Sequence, residues 1–257
     1  MMDKYLKRIG FRGTAKTDLP SLNALVQAQL TNVPFENLDI WAKGDCPSLE
    51  KAALYEKIVI GNRGGYCFEL NTLFRHLLNY LGFEAYQAVS SLVNEDGSAH
   101  TAAHNVIVCQ LDGEKYLIDV GFGGPVPFGA MPLREGEWEG FLLRIQDGFW
   151  YLDRWEEDHY RPSIRFRDVP ATEEELIPLN FYISQKTDSH FRHRLNISVK
   201  QADGSIHRIL GDQLHIRTAD GVVDRSITHE ELPVILLEHF KIPFFEIPME
   251  KPLCGEF

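Results

Sequence analysis

The sequence predicts an α+β protein assembled from three consecutive parts, and three observations carry that expectation. Apolar residues recur at helical spacing from the N-terminus to about residue 84. From about residue 85 the apolar period changes to two, and Asp-Gly pairs punctuate the runs. The chain then passes through mixed structure into a last helical stretch, LPVILLEHF. No internal repeat or low-complexity linker separates the parts, so they are expected to pack against one another.

The first helix is expected in TDLPSLNALVQAQL (17–30). Thr17 or Asp18 can cap it, Pro20 suits its first turn, and Leu22, Leu25, Val26, Gln29 and Leu30 follow at helical spacing. SLEKAALYEKIVIG (48–61) reads as a second helix from a Ser48 cap to a Gly61 stop. A third runs from about Cys67 to Leu81, with Leu70, Leu73, Phe74, Leu77, Leu78 and Leu81 as its stripe and Gly82 as its end. HNVIVCQLDGEKYLIDVGF (104–122) reads as a hairpin turning at Asp112-Gly113, and GFLLRIQDGFWYLDRW as another turning at Asp147-Gly148. Further strands follow over 195–226, with turns at Asp203-Gly204 and Asp220-Gly221. Thr228 with Glu231 forms a capping box ahead of LPVILLEHF. The tail FKIPFFEIPMEKPL (240–253) is expected to pack across the C-terminal part.

Composition narrows the function. The formal net charge is −11, and no basic patch offers a nucleic-acid footprint or an anionic-membrane contact. No apolar run is long enough to span a bilayer, and the N-terminus has no signal-peptide core. Cys46, Cys67, Cys109 and Cys254 are scattered without CxxC spacing, and the ten histidines form no zinc pattern. A cytoplasmic, metal-free protein with free thiols is expected.

RGGYCFELN (63–71) raises a chemical question, because a cysteine directly follows two glycines at a helix start. Gly64 and Gly65 permit positive φ and close backbone approach. In the first turn, unpaired amides and the helix dipole favour a thiolate on Cys67 and could serve an oxyanion hole. A buried structural cysteine is the alternative. A nucleophilic cysteine needs a base, and the base an orienting group. In the 104–122 hairpin, Leu111 faces Glu114, Val108 faces Leu117 and Val106 faces Asp119. His104 and Asp119 are then diagonal neighbours on one face, roughly 7–8 Å apart at the backbone. Cys67 would attack a carbonyl carbon, His104 would move the proton, and Asp119 would orient and stabilise the imidazolium.

With these residues in this order, RGGYCFELN, HNVIVC and YLIDVGFGG resemble the arylamine N-acetyltransferases, as do VPFENLDI (33–40) and FYISQKTDSHF (181–191). The match covers about residues 5–195. The resemblance implies a helical bundle (1–84) carrying the cysteine, a central antiparallel β-barrel (85–192) carrying His104 and Asp119, and an α/β lid (193–257). The Cys-His-Asp core is of the cysteine-protease-like kind. It further implies a ping-pong cycle in which acetyl-coenzyme A acylates Cys67 and an arylamine or arylhydrazine takes the acetyl group. Phe122 matches a family position beside the acyl acceptor, with Phe35 and Tyr66 as further walls. His100 and Thr101 match positions near the cofactor, and Gly123 lies in a candidate turn for it. Arg63 and Glu69 belong to the family motif and read as structural, ion-paired near the first helical turn. Two readings compete: a thiol hydrolase or transglutaminase-like enzyme with the same Cys, His, Asp order, and a non-enzymatic binding protein on the same fold.

Overall fold

The computed structural model describes residues 2–243 and 245–255. Helices α1 (Met2–Arg8), α2 (Leu19–Asn32), α3 (Lys51–Leu54) and α4 (Cys67–Tyr80) come first, with π-helical segments at Asp39–Lys43 and Tyr55–Ile60 and a short strand, β1 (Phe35–Glu36). Eight strands follow: β2 (Glu84–Leu92), β3 (His104–Leu111), β4 (Glu114–Ile118), β5 (Met131–Pro132), β6 (Gly136–Trp138), β7 (Phe141–Gln146), β8 (Phe149–Glu156) and β9 (His159–Phe166). Helices α5 (Glu173–Gln185) and α6 (His190–His193) lead to β10 (Asn196–Lys200), β11 (Ile206–Leu210), β12 (Gln213–Thr218), β13 (Gly221–Ser226) and α7 (Leu232–Phe240).

Asp18 caps α2 by accepting the Ser21 amide at 2.9 Å, as the sequence suggests. Ser48 does not cap its helix. Its hydroxyl accepts the Glu50 amide, α3 begins at Lys51, and the chain widens to π geometry before Gly61. Glu231 does accept the Thr228 amide, but α7 starts only at Leu232, so that pair closes a preceding turn. A capping box at Thr172 and Glu175 opens α5 instead.

β2 to β9 form one barrel-like antiparallel sheet in the order β5-β4-β3-β2-β9-β8-β7-β6. β3 is buried on both sides, hence its near-continuous apolar run. Val106 and Val108 point into the sheet's own core, while Ile107 and Cys109 pack with Leu70 and Phe74 of α4. Each such fully buried aliphatic side chain contributes roughly 2 kcal/mol.

The second sheet runs β1-β10-β11-β12-β13. Its turns fall at Asp203-Gly204, as expected, at Gly211-Asp212, where no Asp-Gly pair signals one, and at Ala219-Asp220, one residue earlier than expected. Leu38 and Trp41 from the N-terminal half are buried in its core with Ile197, Ile209, Leu236 and Phe240. Of the tail, Ile242, Phe245 and Leu253 join that core, and Phe244 lies outside the described residues.

Candidate active site

The double glycine ahead of α4 exists for close packing. A Cβ on Gly64 would lie 2.0 Å from the Pro34 carbonyl oxygen, and one on Gly65 would lie 2.9 Å from Glu69 Cβ. Neither glycine adopts positive φ, so the permissive backbone expected there is not what the fold uses. The segment instead runs beside β1, where the Glu36 amide donates to Gly65 O at 2.9 Å.

Tyr66 is the N-cap of α4, and its amide donates to Glu69 Oε2 at 3.1 Å. Glu69 Oε1 pairs with Lys57 Nζ at 2.8 Å, and Lys57 also reaches Asp39 at 2.8 Å. Arg63 lies 2.7 Å from Glu36, whose other oxygen accepts the Leu38 amide. Arg63 and Glu69 are thus both ion-paired, through one network rather than with each other. Burial works against the charge on Asp39, but Lys57 and Arg63 outweigh it and hold its pKa below the ordinary range. Burial, with Glu36 close by, keeps Glu69 above the ordinary range despite Lys57.

Tyr66 is fully buried. Its hydroxyl donates to Asn180 Oδ1 of α5, and Asn180 Nδ2 donates to Pro47 O at 2.9 Å and Cys46 Sγ at 3.2 Å. Its ring meets Phe191 edge-on at 5.6 Å.

The imidazole and carboxylate come from the β3–β4 hairpin. Asp112 (φ 52°) and Gly113 (φ 82°) are both left-handed, the geometry of a two-residue turn, and Leu111 pairs with Glu114 and Val108 with Leu117. That register puts His104 Nε2 2.6 Å from Asp119 Oδ2. Asp119 Oδ1 accepts from Asn71 Nδ2 at 3.1 Å and from the Gly121 amide at 2.9 Å. Asn71, one turn beyond Cys67, also donates to Asn105 O and accepts the Val120 amide. A Cβ on Gly121 would lie 2.8 Å from Cys67 Cα, so only glycine lets the strand end touch the helix start.

The Cys67 sulfur lies 4.0 Å from the carbonyl oxygen of Ala103, the residue before His104, and is close enough to the His104 ring to act on its pKa. With Nε2 engaged by Asp119, Nδ1 is the ring nitrogen left for the thiol. Burial disfavours the imidazolium, but Asp119, by charge and hydrogen bond, and then Cys67 outweigh it and raise the His104 pKa from 6.5 to about 10. A thiol beside a proton-holding imidazole at a helix N-terminus is equipped for nucleophilic attack on a carbonyl.

The other sequence candidates divide. The Phe122 ring meets His104 edge-on at 5.5 Å. Phe35 is buried 6.1 Å from Phe191, and its ring carbon would lie 2.7 Å from a Cβ on Gly123 (φ 72°). Tyr66 faces Asn180 and the aromatic core with no exposed surface. His100 and Thr101 lie on an exposed loop, where His100 Nε2 contacts Asn94 at 2.7 Å. Asn71, Asn180, Lys57 and Gly121 are not singled out by the sequence. Only Asn71 carries a usable signal there, its i+4 spacing from Cys67. Among the described residues no group of three or more His, Cys, Asp or Glu could hold a metal ion, and no helix is long and apolar enough to cross a membrane.

Against known proteins, residues 18–246 match the family model described as N-acetyltransferase. An arylamine N-acetyltransferase of Mycolicibacterium smegmatis is 31% identical over 86% of this chain and 89% of its own. Human arylamine N-acetyltransferase 1 is 28% identical over 94% of this chain and 93% of its own. The solved structure of Mycobacterium marinum arylamine N-acetyltransferase in complex with CoA superposes with a TM-score of 0.88 at 26% identity, covering 94% of this chain and 93% of that one.

Proposed function

The chain belongs to the arylamine N-acetyltransferase family, and on that premise we propose that it moves an acetyl group from acetyl-coenzyme A to an aromatic amine or hydrazine through a thioester on Cys67. The observation that carries this is the convergence of Cys67, His104 and Asp119 from α4, β3 and the end of β4.

In the first half-reaction His104 holds the thiol proton and the Cys67 sulfur attacks the acetyl carbonyl. A new C–S bond forms, the bond to the coenzyme A sulfur breaks, and His104 returns its proton to the departing thiolate. In the second, the amine nitrogen attacks the acetyl-cysteine, His104 accepts the nitrogen's proton, and the Cys67 sulfur leaves. Asp119 keeps the imidazole oriented and stabilises its charged form, and Asn71 and the Gly121 amide fix that carboxylate. First-turn amides of α4 suit the oxyanion of both tetrahedral intermediates. Phe122 at the His104 edge suits an uncharged arylamine better than a charged acceptor. Coenzyme A enters as a substrate and leaves as a product. The described cysteines are all free thiols, which fits a cytoplasmic setting.

Initial rates with acetyl-coenzyme A and varied arylamine test the reading. Parallel double-reciprocal lines are expected, with free thiol beyond one equivalent per enzyme released only as amine is consumed. Cleavage of amide or peptide substrates without acetyl transfer would point to the hydrolase instead.

A further inference from the structure

Two imidazoles far from Cys67 in sequence, and unused by the mechanism above, meet at the end of α7. His207 lies in β11 between Val199 of β10 and Ile216 of β12. It shares a face with Ile209, two residues on, which packs in one core with Leu236 and Phe240 of α7. His239 stands in the last turn of that helix. The two rings meet with their Nδ1 atoms 3.1 Å apart and their centroids 5.0 Å apart.

The surroundings fix where His207 carries its proton. Asp203 Oδ1 accepts the Ser205 amide at 2.9 Å and the Ser205 hydroxyl at 2.7 Å. With its hydrogen committed to Asp203, Ser205 Oγ is an acceptor for His207 Nε2, 3.3 Å away. His207 Nδ1 is then a lone pair facing His239. Gln201 Nε2 lies 3.4 Å from the same nitrogen and donates to His239 O at 2.8 Å. Burial, followed by the nearby His239, pushes the His207 pKa below its ordinary value, which keeps that ring neutral. A histidine whose far nitrogen is tied through a hydroxyl to a carboxylate is oriented as metal-ligating imidazoles are.

The spacing of the pair agrees. Imidazole nitrogens bind zinc at about 2.0–2.1 Å, so one ion equidistant from two nitrogens 3.1 Å apart would make an N–metal–N angle of about 100°. That lies between the right angle of octahedral or square-planar sites and the tetrahedral angle. We propose that His207 and His239 form a two-nitrogen site for a divalent transition metal that favours imidazole, such as nickel or zinc, with water in the remaining positions. The ion takes the place of the hydrogen between the rings, and His239 keeps its proton on Nε2. It clips α7 to β11, over the core that holds Leu38 and Trp41. A net charge of −11 favours a cation. The site is independent of the acetyl-transfer reading.

Nickel titrations of the full untagged chain test it, by calorimetry and by thermal melt. Wild type should show a saturable step of one nickel ion per chain that EDTA reverses. Its Tm should rise by roughly 3 °C at ten times the dissociation constant. His207→Gln and His239→Gln should each abolish that step and that rise. Ser205→Ala should weaken nickel binding by about tenfold, because the His207 ring loses its orienting partner. Wild-type affinity retained in either glutamine variant overturns the proposal and assigns the ion to exposed thiols or to other histidines. So does the absence of a saturable step in wild type, which leaves the pair as a hydrogen bond alone. If His207→Gln fails to fold by thermal melt, His239→Gln and Ser205→Ala carry the comparison.

Discussion

The imidazole and the carboxylate are 15 residues apart in one hairpin closed by Asp112-Gly113, and they meet through a single ladder register. The sulfur sits at a junction. Pro34, Glu36, Lys57, Arg63 and Asn180, from four stretches of chain, all converge on the residues around it. One half of the site is local and depends on turn geometry. The other is distributed and depends on buried charge and close backbone contact. The first should fail through its chemistry and the second through its stability, and a handful of substitutions separates the two.

The largest effect is expected in the local half. Asp119→Asn should slow acylation of Cys67 by roughly 10²–10⁴-fold, because the imidazole loses the partner that orients and charges it. Stopped-flow release of coenzyme A measures this. The same variant reports on pH. The folded His104 pKa lies near 10 against 6.5, so the stabilisation from its charged pair is complete below pH 6.5 and fades as pH rises toward 10. The difference in urea midpoint between wild type and Asp119→Asn should narrow over that span. A difference that grows with pH would refute the pairing.

Lys57→Met probes the distributed half. It leaves the buried Glu36 and Glu69 with Arg63 as the remaining cation of the network, and Asp39 with Arg63 and the exposed Lys43, a loss of about 3 kcal/mol of stability. The pKa of Asp39 is depressed in the fold, so its contribution is present at neutral pH and lost on acidification. Chemical denaturation should show wild type and variant converging as pH falls. A constant gap would mean the network is not the source.

Tyr66→Phe and Asn180→Ala should each cost about 1–2 kcal/mol, and the double variant less than the sum, since both break one buried hydrogen bond. Additive losses would uncouple α5 from the start of α4. The smallest effect is expected for Gly113→Ala, about 1 kcal/mol from its φ of 82°, with the rate of Cys67 acylation unchanged. A large rate loss there would mean that the turn, rather than the ladder, sets the His104–Asp119 geometry.

The same contrast governs what the sequence can tell. The His104–Asp119 pairing follows from parity and one Asp-Gly turn, both readable within a short window. Gly64 misleads because its contact, Pro34 O, is tertiary, and a positive φ is only one reason to need glycine. The π-helical widening at Tyr55–Ile60 hides within an ordinary helical period, and β1 is a two-residue strand whose partner lies more than 160 residues away. Asn180 looks like any polar residue on α5, since its partners Tyr66, Pro47 and Cys46 belong to other segments.

The central claim is that the acetyl group resides on Cys67 between its two carriers. Mass spectrometry of the protein after brief incubation with acetyl-coenzyme A and no amine tests this most directly. One acetyl group on the peptide containing Cys67, removed when an arylamine is added, is the result expected. An unmodified Cys67, or undiminished arylamine acetylation by Cys67→Ala, would contradict the account.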